Sequence, residues 1–246
     1  MLSLLPLKSA LTQERATLSY SVDYSSGYFP YVTPDRENPG IIVELIQKIL
    51  RKANIDGQQF TFPYKRGSEF FRSGKVDMSW SNPDWFPGKR FPSGSIGTEY
   101  IIKVRDILIY RPEQEWQWRD ALSILSKPVG TVRGYRYHDE QRIERIDVAN
   151  EEKLVQMVSL DRIDVAIINE YAARYFVKKQ NARITFGATH SMGSLKLRLQ
   201  EKHKHLLPKL NAAIKSLRED GTIALIVQKY LYSLKDYAAV GAENKE

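Results

Sequence analysis

Two segments of the chain place an asparagine at the same distance after an aspartate. The first reads VDMSWSNPDW and contains Asp77 and Asn82; the second reads IDVAIINEYA and contains Asp164 and Asn169. Each segment predicts a strand that ends near its asparagine. A side-chain amide offers both donors and an acceptor, so two facing amides would hold the polar groups of a ligand without adding net charge. The alternative is that each asparagine caps the element that follows it.

Residue types for other kinds of site chemistry are scarce. Cysteine is absent, which excludes disulfides, cysteine metal ligands and a thiol nucleophile. The histidines stand in RYHDE, ATHSM and EKHKH, at spacings that match neither a metal site nor a catalytic triad. The sequence contains no phosphate-binding glycine loop and no Gly-x-Ser-x-Gly motif. It therefore predicts no metal, no cofactor and no catalytic residue.

The basic charge of the chain does not by itself indicate nucleic-acid binding. The formal net charge is +8, but lysine and arginine are spread along the whole sequence, without a long basic run. Zinc-finger and RNA-binding signatures are also missing from the sequence. We expect a solvated basic surface, or attraction to acidic partners, and no nucleic-acid partner.

The elements that must position these residues alternate between strand and helix. In the first part of the chain ATLSYSV predicts a strand, GIIVELIQKILRKANI an amphipathic helix, QQFTFPY a strand, KRGSEFFRSGK a short helix and VDMSW a strand. This order implies right-handed crossovers and a parallel or mixed sheet, so the predicted class is α/β.

The second part of the chain repeats the same alternation. YIIKVRDILIY, KPVGTV, IDVAIIN and RITFG predict strands, whereas WQWRDALSIL, EEKLVQMVSL and EYAARYFVKKQ predict helices and DEQRIERI a polar helix or loop. The tail HLLPKLNAAIKSLREDGTIALIVQKYL predicts two helices. A chain of 246 residues suits one large domain or two lobes of ordinary size, and the repeated alternation favours two lobes. Strand ends from the two lobes would then face one cleft, where α/β sheets bind ligands.

The N-terminal segment MLSLLPLKSAL leaves two interpretations open. It is apolar but lacks a basic n-region and a clear cleavage site, so it is either a truncated export signal or an ordinary apolar lead-in. No apolar run in the sequence approaches the ~20 residues that span a bilayer.

Five segments, spread in order along nearly the whole chain, resemble the extracytoplasmic solute-binding proteins of ABC transporters, specifically the amino-acid-binding family 3. The segments are GYFPYV with GIIVELIQKIL, FPYKRGSEFFRSGKVDMS, VGTVRGYRY, DRIDVAIINEYAARYF and LNAAIKSLREDGTIALIVQKY. The resemblance implies a type II periplasmic-binding-protein-like fold. In that fold two lobes, each a mixed sheet flanked by helices, are joined by two hinge strands, here KVRDILIY and THSMGSLKL.

The resemblance also implies an organisation and a function. Lobe 1 would comprise residues 1–104 plus 193–246, and lobe 2 would be the inserted residues 105–192. A small polar solute, an amino acid or a related small carboxylate or amine, would bind between the lobes and close them by hinge motion. The expected partner is a membrane permease of an ABC transporter, the expected location is the periplasm, and the expected state is a monomer.

Family roles carried over to this sequence give aromatic ligand contacts. Tyr28 or Phe29, in the first loop, would stack on the ligand, and Tyr64 matches an aromatic-x-Arg pattern. Trp80 and Trp85 would form a further wall. Core packing is the alternative for Phe29, whereas a tryptophan in a loop rich in glycine and proline favours a ligand platform for Trp85.

Polar ligand contacts follow from the same resemblance. The turn in VGTVRGYRY would present backbone N–H groups to an anion, with Thr131 and Arg133 beside them, unless Arg133 is simply solvated. The sequence departs from the family at two positions. Arg90 is the only arginine near the position of the usual carboxylate-binding arginine, and it is displaced by several residues. Neutral Asn169, with Glu170 adjacent, stands where the family has an acid for the ligand ammonium. Either Glu170 substitutes for that acid as a ligand-binding residue, or the ligand is not a standard α-amino acid.

Two rival functions remain open at this point. Some proteins of this kind are dehydratases or lyases of cyclic acids, and Glu170, Glu99 or His138 could then serve as general acid. The other rival is a ligand-sensing domain that acts through a separate signalling partner.

Overall fold

The computed structural model of the chain describes residues 15–25 and 28–240, with side chains as far as residue 231. The apolar N-terminal segment that the sequence suggested as an export-signal remnant lies outside the described residues. Among those residues, no helix has both the length and the apolar character that a membrane span requires.

The strands are distributed along the whole described chain. Their bounds are β1 (Thr17–Val22), β2 (Asp56–Thr61), β3 (Met78–Ser81), β4 (Ser95–Tyr110), β5 (Pro128–Val132), β6 (Glu144–Val148), β7 (Val165–Asn169) and β8 (Thr185–Gln200). They form one sheet in the order β2-β1-β3-β8-β4-β7-β5-β6. The pairs β1–β2, β1–β3, β5–β6 and β5–β7 are parallel, and those that involve β4 or β8 are antiparallel. The sheet is therefore mixed, as the sequence predicted.

Helices lie between these strands and at the end of the chain. Their bounds are α1 (Ile41–Lys52), α2 (Tyr64–Arg72), α3 (Glu115–Trp118), α4 (Glu151–Ser159), α5 (Glu170–Lys179), α6 (Leu207–Glu219) and α7 (Thr222–Val240). In α1 the apolar stripe of the sequence is the buried face: Ile42, Leu45, Ile46 and Ile49 are inaccessible to solvent.

The apolar core divides along the two longest strands. One cluster of buried side chains lies between Leu18 and Val104 and between Leu195 and Tyr230; we call this half lobe 1. Two further clusters lie between Ile107 and Phe176 and define lobe 2. Strands β4 and β8, each of 16 residues, run antiparallel through both halves and connect them. The two-lobed α/β architecture expected from the sequence is confirmed.

Two elements differ from the sequence prediction. WQWRDALSIL was expected to form one helix, but α3 ends at Trp118 and a separate 3-10 turn follows over Ala121–Ile124, because the Asp120 side chain accepts a hydrogen bond from Leu122 N and starts a new turn. The segment predicted as polar helix or loop contains β6. That strand is polar because it lies at the edge of the sheet, where its one neighbour among the described strands is β5.

A glycine on β5 tests the packing of lobe 2. A Cβ atom added to Gly130 would lie 2.8 Å from Leu154 Cδ1 of α4 and 2.9 Å from Ala166 Cβ of β7. We expect Gly130→Ala to lower the free energy of unfolding by about 1–3 kcal/mol through overpacking, measured by urea denaturation with circular dichroism. Gln156→Ala, on the exposed face of α4, is the control and should stay within about 0.5 kcal/mol of wild type. Equal stability of the two variants would contradict this packing.

Candidate functional site

A cavity of about 110 Å³ lies between the two lobes. Lobe 1 contributes its walls from β1, α2, β3, β8 and their loops. Lobe 2 contributes the end of β5 and the segment after it, the end of β7, Asp106 of β4 and the first residue of α4. A cavity of this size holds several water-sized groups, so it suits a small organic molecule. Nine of its 24 lining residues are aromatic: Tyr28, Phe62, Tyr64, Phe71, Trp80, Trp85, Phe86, Tyr135 and Tyr137.

Aromatic side chains from the two lobes touch across this cleft. Tyr28 of lobe 1 stacks on Trp80 at 5.8 Å between ring centroids and meets Tyr135 of lobe 2 edge-on at 5.5 Å. Tyr64 of lobe 1 also meets Tyr135 edge-on, at 5.3 Å. Such aromatic pairs stabilise by about 0.5–1.5 kcal/mol beyond their burial. The lobes are therefore in contact around the cavity.

Asp106 is a buried carboxylate at the point where the crossover strands pass between the lobes. Its Oδ2 accepts hydrogen bonds from Trp85 Nε1 at 2.9 Å and from Ser191 Oγ at 2.8 Å. Asn169 Nδ2 approaches Oδ1 at 3.5 Å and donates to the Arg105 carbonyl at 3.2 Å. Burial raises the pKa of Asp106, and these donors act in the opposite direction. One carboxylate thus connects a cleft loop of lobe 1, both crossover strands and the end of β7.

Glu151 brings a second buried carboxyl group to the cleft. It is the first residue of α4, follows the N-cap Asn150, and is 1% exposed. Neither carboxyl oxygen is within hydrogen-bond geometry of a partner among the described residues. The nearby Tyr135 hydroxyl acts to lower the pKa of this carboxyl. Burial dominates and raises the pKa of Glu151 to about 7. A cationic ligand group beside this carboxyl would favour its ionised form.

Arg198 of β8 brings a positive charge from lobe 1. Its guanidinium carbon lies 4.5 Å from the ring centroid of Phe71 and 5.0 Å from that of Phe86, and its Nε donates to Ser95 Oγ at 3.0 Å. Among the described residues no acidic side chain forms an ion pair with it. Desolvation lowers the pKa of Arg198 to about 10. The guanidinium is held by flat rings and remains available to an anionic group in the cleft.

Five of the residues proposed from the sequence line the cavity: Tyr28, Tyr64, Trp80, Trp85 and Asn169. Asn169 also caps α5, because its side chain accepts from Tyr171 N at 3.1 Å. Asn169 therefore both caps a helix and lines the cleft, so the two interpretations of this residue are compatible.

Other residues proposed from the first part of the chain lie away from the cavity. Phe29 stacks on Tyr175 at 3.9 Å, which is a packing contact between the lobes. Asn82 is fully buried and accepts from Asp84 N and Ser194 N, so it caps a 3-10 turn and fixes it to β8. Arg90 is exposed, because the turn that contains Gly88 carries it outward. The two asparagines consequently do not face each other across the cleft.

The other polar residues of lobe 2 that the sequence proposed as ligand contacts bind other side chains or are exposed to solvent. Thr131 is buried and donates from Oγ1 to Asp147 Oδ1 at 2.7 Å. Arg133 is exposed. Glu170 is neutralised on the surface by two arginines, with Arg174 Nη2 at 2.8 Å and an even closer contact from Arg105. These three residues do not line the cavity.

The candidate general acids of the rival enzyme function are not in the cavity lining either. Glu99 lies 3.9 Å from Arg218 in lobe 1, and Glu170 is paired as described. His138 is half-buried against another histidine, His190, with 4.8 Å between ring centroids. The carboxyls that do reach the cavity are those of Asp23, Asp106 and Glu151.

Sequence patterns gave only partial indications of the two charged cleft residues that were not predicted, Arg198 and Glu151. Arg198 alternates with Leu195, Leu197 and Leu199, so its side chain must leave the core face of β8. Glu151 follows an N-cap asparagine, a position where acids are ordinary and usually exposed. The cleft position of both residues depends on how the lobes meet, which no local pattern encodes.

Comparison by sequence matches the chain to no family profile and to no curated relative. Comparison of folds is informative. A mutant of ArgBP from T. maritima superposes with a TM-score of 0.69 at 13% identity, over 88% of this chain and 96% of that one. A histidine kinase sensor domain with similarity to periplasmic binding proteins gives 0.70 at 14% identity, over 88% and 96%. An ancestral amino-acid-binding protein, a precursor of cyclohexadienyl dehydratase, gives 0.69 at 15% identity, over 87% and 95%.

The chain has the fold of the amino-acid-binding periplasmic proteins. The coverage extends over both lobes and the crossover strands, so the type II binding-protein fold expected from the sequence is confirmed for nearly the whole chain. At this level of identity the likeness concerns the fold, and the site of this binding-protein fold must be judged on its own residues.

The carboxylate of Asp106 can be tested through the donors that it satisfies. Asp106→Ala leaves the Trp85 indole and the Ser191 hydroxyl without their acceptor, and each unsatisfied buried group costs about 1–3 kcal/mol. We expect urea denaturation to show a loss of roughly 2–5 kcal/mol in the free energy of unfolding. Asp106→Asn keeps an acceptor oxygen and the side-chain shape, so its loss should be smaller. An alanine variant as stable as wild type would show that this carboxylate does not connect the lobes.

The pH dependence of stability tests Glu151. Because the pKa is raised from 4.5 to about 7 in the folded state, that state keeps a proton which the unfolded chain loses, and stability falls as pH rises across this window. The shift corresponds to roughly 3 kcal/mol. Glu151→Gln should therefore gain roughly this amount relative to wild type between pH 5 and pH 8 in urea denaturation. Glu152→Gln, the exposed-side neighbour, should keep the wild-type dependence. Parallel curves for wild type and Glu151→Gln would contradict a buried carboxyl.

Proposed function

We propose that this chain binds a small solute carrying both a cationic and an anionic group in the cleft between its lobes. The observation that carries the proposal is a pair of side chains of opposite charge type that reach one cavity from different lobes, Glu151 from lobe 2 and Arg198 from lobe 1. Neither forms an ion pair within the part of the chain that the structure describes. An amino acid or a closely related small zwitterion fits this polarity.

Charge complementarity explains how a ligand would hold the lobes together. Its anionic group would pair with the Arg198 guanidinium, and Arg136 of lobe 2 lines the same cavity. Its cationic group would lie beside Glu151, whose carboxyl forms no ion pair with any of the described residues. Since each charge belongs to a different lobe, the ligand would favour the closed arrangement over an open one. The aromatic walls would enclose the remaining apolar part and could also contact a cation through their faces.

These two charges would replace the family contacts that the sequence lacks. Arg90 is exposed, so Arg198 would take the part expected of an arginine on the loop after β3. Asn169 is neutral and Glu170 is paired with arginines, so Glu151 would take the part of the expected acid. The ligand would therefore lie in an orientation of its own within the shared fold.

The wider role that fits a solute-binding lobe pair is delivery of the ligand to an ABC permease in the periplasm, by the chain as a monomer. Under this proposal residues 1–104 plus 193–246 close against residues 105–192. One of the similar structures is a sensor domain of a histidine kinase, so a signalling partner is the competing destination for the same ligand-bound state. Pull-down with candidate permease and kinase partners, with and without ligand, distinguishes the two.

An enzyme on this scaffold is the second candidate, favoured by one specific observation. Burial holds the pKa of Glu151 at about 7, so the protonated carboxyl could act as a general acid inside an aromatic cavity. A similar structure is a precursor of a dehydratase. Mass spectrometry of each binding ligand after prolonged incubation decides between the candidates, since a binding protein returns the ligand unchanged.

A ligand screen tests the binding proposal. Purified protein is heated with amino acids, small carboxylates, polyamines and short peptides, and a ligand present at a hundred times its dissociation constant should stabilise the fold by ~2.7 kcal/mol. We expect zwitterionic compounds to raise the melting temperature, and simple carboxylates and polyamines to have smaller effects.

Matched variants then locate the binding charges. Glu151→Gln keeps the side-chain shape and Arg198→Met keeps an apolar stem without the guanidinium. Each should weaken binding of the best ligand at least tenfold by isothermal calorimetry, which corresponds to about 1.4 kcal/mol. Arg133→Met and Arg90→Met remove exposed charges outside the cavity and should leave affinity unchanged. If the exposed variants weaken binding as much as the cleft variants, the effect is one of net charge and the proposed site is wrong.

A further inference from the structure

Outside the cleft, one cluster joins three potential metal ligands that are distant in sequence. His138 and Asp139 lie in the segment after β5, and His190 lies on the crossover strand β8. One ring nitrogen of each histidine and one carboxylate oxygen all lie within 4.8 Å of one another. Among the described residues, this is the single group of three or more such side chains at that spacing. The sequence predicted no metal site, because local spacing cannot bring these residues together.

The Asp139–His190 pair already has a separation that suits a shared ion. His190 Nε2 lies 3.0 Å from Asp139 Oδ1 and 3.2 Å from Oδ2. Two nitrogen or oxygen ligands at about 2.1 Å from a zinc ion lie about 3.0–3.4 Å apart. The same distances also suit a plain hydrogen bond, so the pair alone does not indicate a metal.

Two further observations describe the surroundings of this pair. The His190 side chain is only 2% exposed, and its Nδ1 has no hydrogen-bond partner among the described residues. Nε2 is the ring nitrogen that faces Asp139, so an ion shared with Asp139 would bind His190 through Nε2 and not through Nδ1. Burial of the ring keeps that position away from bulk water. Moreover, a second imidazole, that of His138, lies against His190 with 4.8 Å between ring centroids.

The backbone is shaped locally to deliver His190 to this cluster. Asp106 of β4 pairs with Ser191 of β8, but the next residue, Ile107, pairs with Thr189, so His190 is an extra residue in the ladder. Such a bulge redirects a side chain and commonly occurs at functional positions. The charged neighbours of His138 from lobe 1 are Lys89 and Asp84, which are of opposite sign.

We propose that His138, Asp139 and His190 bind one divalent transition-metal ion, which fastens the segment after β5 to the crossover strand. Two imidazoles and one carboxylate form a donor set typical of zinc and its neighbours and unlike the all-oxygen sets of calcium and magnesium. Tyr137 lines the solute cavity and meets the His190 ring edge-on at 6.2 Å. The ion therefore lies directly behind a wall of the cleft and is distinct from the solute site.

Metal titration of the intact chain tests the proposal. Protein freed of any affinity tag and of metal by chelator dialysis is titrated with Zn²⁺ by calorimetry and with Co²⁺ by visible absorption. We expect one ion per chain, Co²⁺ bands of a histidine-containing site, and a melting temperature raised by saturating Zn²⁺. His138→Ala, Asp139→Asn and His190→Ala should each weaken binding at least tenfold, in the range found when metal-site partners are removed.

His205→Ala is the matched control, because His205 is an exposed histidine outside the cluster. It should bind Zn²⁺ as wild type does. Circular dichroism establishes that each variant folds; if His190→Ala does not, the half-buried His138→Ala and the isosteric Asp139→Asn decide the question. Binding that fails to saturate near one ion per chain would overturn the proposal. So would affinity that is unchanged in these variants, or lost equally in His205→Ala.

Discussion

The arrangement of both lobes depends on one buried carboxylate, Asp106, at the place where β4 crosses between them. A buried carboxylate is costly unless several donors satisfy it, and here the donors come from different parts of the molecule: Trp85 from a cleft loop and Ser191 from the second crossover strand. Removing any one of these elements would leave the charge short of partners. The hydrogen bonds of the Asp106 side chain therefore fix the Trp85 wall of the cleft relative to the crossover strands. The separation between that wall and the residues of lobe 2 depends on these bonds.

The charged residues near the cleft fall into two groups, those already paired within the protein and those without an ion-pair partner among the described residues. Glu170 is closest in sequence to the expected ligand-binding acid, but it forms ion pairs with Arg105 and Arg174. Its negative charge is therefore largely compensated and would attract a ligand cation only weakly. Glu151 forms no ion pair with any residue that the structure describes and is buried in the wall of the cavity, where a carboxyl without an ion-pair partner interacts strongly with any cation that approaches. The same reasoning favours Arg198 over exposed Arg90. Burial without a partner, more than position in a motif, identifies the groups that are free to bind.

Local sequence patterns predicted much of the fold and only part of the site. The strands and helices of both lobes were predictable because hydrophobic period and capping residues act over a few positions, and Asn82 and Asn169 both cap the elements that follow them. Tyr28 and Trp85 were accessible through the resemblance of their loops. Arg198 and Glu151 were not, since an arginine on a strand and an acid at a helix start are ordinary in sequence. Their role depends on the pairing of β3 with β8 and on the contact of the lobes.

One irregularity of β8 serves two otherwise separate sites. In a regular strand, neighbouring side chains point to opposite faces, and the ladder fixes which residue faces which partner. Because His190 is an extra residue opposite the step from Asp106 to Ile107, Ser191 can donate to Asp106 while His190 reaches Asp139. The bulge thus connects the hydrogen bonds at the lobe crossover with the histidine cluster behind the cleft wall. An ion bound by that cluster would hold the segment of Tyr137 and Tyr135 against β8, and so would act on the cleft through the same strand that joins the lobes.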